Sequence, residues 1–95
     1  MTKYQQGVKA EYAARDQLQA DGFYVIRAAG SHGLADLVAV GPKRVKLVQI
    51  KSTVKDKPRY DDELDALRDW VVPDNCDKEL WVWMKHKRAW VILPV

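Results

Sequence analysis

Four polar residues sit where a purely structural design would not place them: Glu11, Asp36 and the Gln49-x-Lys51 pair. Asp36 opens a short apolar run, Leu37 to Val40, and a turn, Gly41-Pro42-Lys43-Arg44, separates it from a second run, Val45 to Lys51. If Val40 pairs with Val45, the antiparallel register carried four residues along each strand sets Asp36 opposite Gln49, with Cβ atoms about 4.5–5.5 Å apart. Alternation puts Lys51 on the Gln49 face and sends Val48 and Ile50 into the core. Glu11 lies on the apolar stripe of a first helix, between Val8, Ala14 and Leu18, where a carboxylate is out of place. Carboxylate and amide oxygens suit a hard divalent cation, and a lysine beside them can orient water and offset charge on a five-coordinate phosphorus. The set therefore predicts metal-assisted phosphodiester hydrolysis. Singly, each residue has a plainer reading: Glu11 as the i,i+4 partner of Arg15, Lys51 as a solvated strand-end lysine.

The elements that must position these groups are legible in the patterning. Gln6 to Ala20 are strong helix formers stopped by Asp21-Gly22. Phe23 to Ala28 reads as a strand and runs into a glycine-containing loop, Gly30-Ser31-His32-Gly33. Tyr60, Leu64, Leu67 and Val71 are helically spaced behind Asp61, Asp62 and Glu63, which predicts a second helix over 60–72 ended by Pro73. Leu80 to Met84 and Ala89 to Leu93 form a last hairpin, and pairing Lys85 with Ala89 sets Trp81, Trp83, Val91 and Leu93 on one face and Val82, Met84, Trp90 and Ile92 on the other, so both faces are apolar. The order αβββαββ predicts an α/β fold with a mixed five-stranded sheet flanked by two helices, as one domain over 1–95.

Ninety-five residues bury only about 60–65% of the unfolded chain's surface, so a partner chain is expected to help, through apolar surface of the two-faced last hairpin and of the second helix. No apolar run approaches the roughly 18 residues of a membrane span, and the first twenty residues carry charges where a secretory signal needs apolar residues. A cytoplasmic location is expected. Cys76 is the one cysteine, which excludes an intrachain disulfide and a cysteine-rich zinc site. The net charge is only +3, but Lys43 to Arg59 holds seven cations against Asp56 alone, and Lys85 to Arg88 forms a second basic cluster. Segregation of this kind suits a polyanion, with Lys55, Lys57 and Arg59 as candidate DNA contacts.

Gly7-x-x-x-Glu11, Gly22-Phe23 before Val25-Ile26-Arg27, Ala29-Gly30-Ser31, Asp36-Leu37-Val38-Ala39 and Gln49-Ile50-Lys51-Ser52-Thr53 together resemble the archaeal-type Holliday junction resolvases. These belong to the PD-(D/E)XK nuclease superfamily and its restriction-endonuclease-like core. The resemblance implies that Glu11, Asp36 and Gln49 bind metal, that Lys51 is catalytic, and that Ser31 and Arg27 serve the active-site loop or the DNA phosphates. It implies a magnesium-dependent homodimer cutting four-way DNA junctions, with manganese as a substitute metal and no organic cofactor. One position departs from the pattern: the family has Glu where this chain has Gln49. An amide keeps an oxygen donor but removes a charge. Glu11 then makes up the charge, or substrate phosphate completes the site, or the chain is a silent or differently targeted DNA-binding module.

Overall fold

The computed structural model describes residues 3–28 and 33–95, with side chains from Val8 onward. The elements run α1 (Lys3–Ala20), β1 (Tyr24–Arg27), β2 (Leu37–Val40), β3 (Val45–Thr53), α2 (Asp61–Asp69), β4 (Cys76–Met84) and β5 (Ala89–Pro94). The five strands lie in chain order, β1-β2-β3-β4-β5, with β3 and β4 parallel and every other pair antiparallel. The expected element order and mixed sheet are therefore present.

Helix α1 buries Ala10, Ala14 and Leu18 against Leu37, Ala39, Val48, Ile50 and Trp81 on one face of the sheet. Alanines let the helix approach closely, and the i,i+4 spacing of the three keeps them on one line. Glu11 is one residue off that line, half-buried at its edge. The helix ends in a Schellman motif: Gly22 takes φ 93°, its N–H donates to the Gln19 carbonyl, and the Phe23 N–H donates to the Leu18 carbonyl at 3.1 Å. Helix α2 covers the other face with Leu67, which packs with Leu80, Val82 and Met84.

Two expectations need correction. Helix α2 stops at Asp69 and not near Pro73, and Val71 is 92% exposed. Trp70 is already extended, and Lys78 on β4 caps the shortened end, its ammonium donating to the carbonyls of Leu67, Arg68 and Trp70. A cation there satisfies the last-turn carbonyls and opposes the helix dipole. The final hairpin pairs Met84 with Ala89, one residue away from the register expected. Its turn holds four residues, Lys85 to Arg88, with Arg88 left-handed at φ 48°. A one-residue slip turns every β5 side chain over. Trp90 therefore joins Trp81 and Trp83 on the α1 face, while Leu93 packs beside Leu80 on the α2 face.

Candidate active site

The β2–β3 register is the one expected, Val40 with Val45 and Leu37 with Val48. There β2 stops, whereas β3 continues to Thr53 with only β4 as neighbour. A notch opens beside residues 49–53, and its first unpaired donor is the Ile50 N–H. Asp36 fills that role from the side: its carboxylate Oδ2 accepts the Ile50 N–H at 2.7 Å. The Asp36 N–H donates to the Val48 carbonyl at 2.8 Å, although Val48 is the ladder partner of Leu37. Two residues of one strand thus meet one of the other, as in a β-bulge. Asp36 is not squarely opposite Gln49, as the unbroken register required; the bulge draws its backbone back to Val48 and its carboxylate reaches forward.

Four of the residues singled out from sequence nevertheless share one cavity of about 270 Å³: Glu11, Asp36, Gln49 and Lys51, with Ala10 and Ser52 on its wall. Alternation explains half of this, since Val48 and Ile50 are buried under α1 and turn Gln49 and Lys51 the other way. Glu11 arrives from α1 with its carboxylate held by Arg27, Nε to Oε2 at 2.8 Å, both side chains about one-fifth exposed. The Arg27 guanidinium lies 5.2 Å from the Tyr12 ring centroid, within cation–π range. Arg15, the alternative partner for Glu11, pairs with Asp16 instead. Ser31 lies outside the described residues.

Two observations bear on a metal. Among the described residues no group of three His, Cys, Asp or Glu side chains is placed to hold an ion. The donor set is two carboxylates and an amide, and the Gln49 Oε1 is buried in this structure with no hydrogen-bond partner. A buried amide oxygen left unpaired costs about 1–3 kcal/mol. A hard cation relieves that cost, and magnesium is commonly held by one or two carboxylates together with substrate phosphate. The residues present fit such an ion.

Of the candidate DNA contacts, Arg27 is turned onto Glu11, Arg59 pairs with Asp61 at 2.8 Å, and Lys55 and Lys57 are exposed. The two basic clusters converge at one end of the sheet, which sequence spacing did not reveal. The Lys85 N–H donates to the Thr53 carbonyl at 2.9 Å, and His86 Nε2 lies 2.6 Å from Asp56 Oδ1. Tyr60 fastens the same loop: burial pushes its phenol pKa up, and a hydrogen bond with Thr53 partly opposes the shift. Ser52 also stands on the wall, and its one signal in the sequence is its place directly after Lys51.

The profile of the archaeal Holliday junction resolvase (Hjc) family matches residues 2–95. No curated protein matches the sequence with significance. The chain is similar in structure to the Archaeoglobus fulgidus Hjc, described as a Holliday junction resolvase. That match has a TM-score of 0.75 and 23% identity, covering 94% of this chain and 72% of the other. It is also similar to a bacterial homing endonuclease, with a TM-score of 0.69 and 20% identity, covering 99% of this chain and 66% of that one.

Proposed function

We infer the chemistry of this chain from one premise: it belongs to the archaeal Holliday junction resolvase family, matched over residues 2–95, and is a junction-resolving nuclease. The proposed reaction is hydrolysis of phosphodiester bonds in four-way DNA junctions. The observation that carries the metal-dependent form of this reading is the buried, unpartnered Oε1 of Gln49, a residue that lines one cavity with Asp36, Glu11 and Lys51.

In the proposed mechanism Asp36, Gln49 and Glu11 would hold a divalent ion, magnesium with manganese as substitute. Such an ion, when bound, acidifies water and polarises a phosphoryl oxygen. Asp36 is fixed by the Ile50 N–H, which spends one oxygen on positioning and leaves the second for a ligand. Glu11 is oriented by Arg27 through one oxygen in the same way. Lys51 orients the attacking water and offsets charge gathering on the phosphate oxygens. Exposed Lys55 and Lys57 bear on the flanking phosphates, a contact type that releases counterions and makes binding salt-dependent.

The functional unit proposed is a homodimer in the cytoplasm, joined through β5 and the segment that follows α2. Val91 and Ile92 are 43% and 44% exposed there, and Val71 still more so. A stable interface of this kind covers such side chains. A monomeric mass by light scattering at micromolar concentration overturns it. The decisive test of function incubates the protein with a four-way junction and with linear duplex, with and without magnesium. Cleavage restricted to junction plus metal is expected, and metal-independent binding without cleavage points to a silent module.

A further inference from the structure

A second cavity, of about 380 Å³, adjoins the candidate active site and has no part in the mechanism above. Ala10 and Ser52 line both cavities, so the two compartments meet where α1 passes the free end of β3. The second compartment takes its aromatic surface from Trp83 and its charge from Lys9, Lys85 and Arg88, and no carboxylate is among its described lining residues. Trp83 is set in place by Trp90, whose ring meets it at 60° with centroids 5.1 Å apart, and Trp90 in turn meets Trp81 at 5.4 Å. A ring already held by its neighbours loses little freedom when a planar group lands on it.

We propose that this compartment receives an unstacked nucleobase of the strand being cut, next to the phosphate at the active site. Trp83 stacks on the base, and Lys9, Lys85 and Arg88 hold the phosphates to either side. The proposal rests on the junction-nuclease reading and deepens it by assigning a residue to substrate choice. Paired duplex offers phosphates and base edges to a protein surface, and the cations alone serve those. An aromatic face is useful only where a base has left its stack, and base–aromatic stacking is how sequence-tolerant proteins hold unpaired strands. The branch point of a four-way junction can release such a base, while continuous duplex keeps it stacked. Trp83 therefore favours junction over duplex, and the three cations favour both.

The test measures dissociation constants of wild type, Trp83→Leu, Trp83→Phe and Arg88→Asn for a four-way junction and for linear duplex of the same sequence. Trp83→Leu keeps an apolar filler and loses the ring, so junction binding is expected to weaken about tenfold or more, with duplex binding nearly unchanged. Trp83→Phe is expected to restore most of the loss. Arg88→Asn, a residue that tolerates the left-handed backbone at this position, is expected to weaken both substrates and reduce the salt slope by about one. Equal weakening on both substrates by Trp83→Leu, or none on either, overturns the proposal. If circular dichroism shows that Trp83→Leu does not fold, wild type bound to junctions carrying 5-iodouracil at the branch decides. A photo-crosslink mapped to Trp83 supports the proposal, and crosslinks that all fall elsewhere overturn it. Wild type that binds junction no better than duplex sinks the junction reading and this proposal together; a selective wild type indifferent to the loss of Trp83 sinks the proposal alone.

Discussion

The two halves of β3 share one parallel partner, β4, and differ in what lies on the other side. From Val45 to Val48 the strand is flanked by β2, Val48 is fully buried, and the nearby charged groups are tied down, Arg44 to Asp77 and Lys46 to Glu79. From Gln49 to Thr53 the β2 side is open, and Gln49, Lys51 and Ser52 face cavities. The same strand is scaffold at one end and chemistry at the other. The division falls where β2 bulges away at Asp36, because an unpaired strand edge leaves main-chain donors that side chains can use to fix a carboxylate. Asp36 is the hinge between the halves: its backbone closes the scaffold and its carboxylate opens the site.

The two halves of β3 differ most at that hinge. Asp36→Asn keeps an oxygen for the Ile50 N–H and loses the charge, so the fold is expected to survive while cleavage falls about a hundredfold or more, the scale of losing one preorganised electrostatic group. Junction affinity should stay within a few-fold. Wild-type cleavage rates in this variant remove Asp36 from the site.

Next comes the scaffold half. Val48→Ala deletes two buried carbons beneath α1 and is expected to cost about 2 kcal/mol of stability from lost transfer energy plus a small cavity. Chemical denaturation measures this. At a temperature where the variant stays folded, its magnesium requirement should match wild type. A shift in both properties means that the two halves of β3 are not separable.

On the chemical half, Gln49→Glu adds charge to a buried amide site and is expected to lower the magnesium concentration for half-maximal cleavage by about tenfold, because carboxylates bind hard cations better than amides. Gln49→Ala should raise it. Turnover need not follow, since a tighter site also holds product longer. Identical titrations for both variants and wild type exclude Gln49 as a ligand. Cleavage only after Gln49→Glu marks the native chain as a silenced nuclease.

Much of this was legible in the sequence because hydrophobic alternation and turn residues are local signals. Gly41-Pro42-Lys43-Arg44 set the β2–β3 register, and a side chain at Gly41 would meet the Phe23 ring at 2.9 Å. Glu11 was conspicuous on an apolar helix face. What stayed hidden depends on contacts between distant residues. The bulge at Asp36 appears only when Val48 and Ile50 compete for its groups, and the partner of Glu11 proved to be Arg27, sixteen residues on, in place of Arg15 one turn away. The end of helix α2 is capped from outside its own segment, by a lysine of β4, which helical spacing does not show. The last hairpin slipped because both of its strands are apolar on both faces, so alternation carried no register, and a left-handed Arg88 is not a residue that announces such a turn.

The smallest effect belongs to the ion pair at the scaffold end, Arg44 with Asp77, where Nη2 lies 2.7 Å from Oδ1 and Nε lies 2.8 Å from Oδ2. The guanidinium holds the Asp77 carboxyl below its ordinary pKa, first through the hydrogen bond and then through its charge, and the Arg44 pKa is raised in return. A carboxyl whose pKa is lower folded than unfolded adds stability that is complete above the unfolded value, about 3.9, and fades as pH falls through the folded value. Both side chains are well exposed, so water and salt screen the pair and its contribution is slight. Asp77→Asn is therefore expected to unfold slightly more easily than wild type at neutral pH, and the gap should close as pH drops below about 4. Urea midpoints for both proteins across that range provide the measurement. A gap that persists in acid means that Asp77 acts through packing at the start of β4, and a gap that also alters the magnesium requirement ties the scaffold end of β3 to its chemistry.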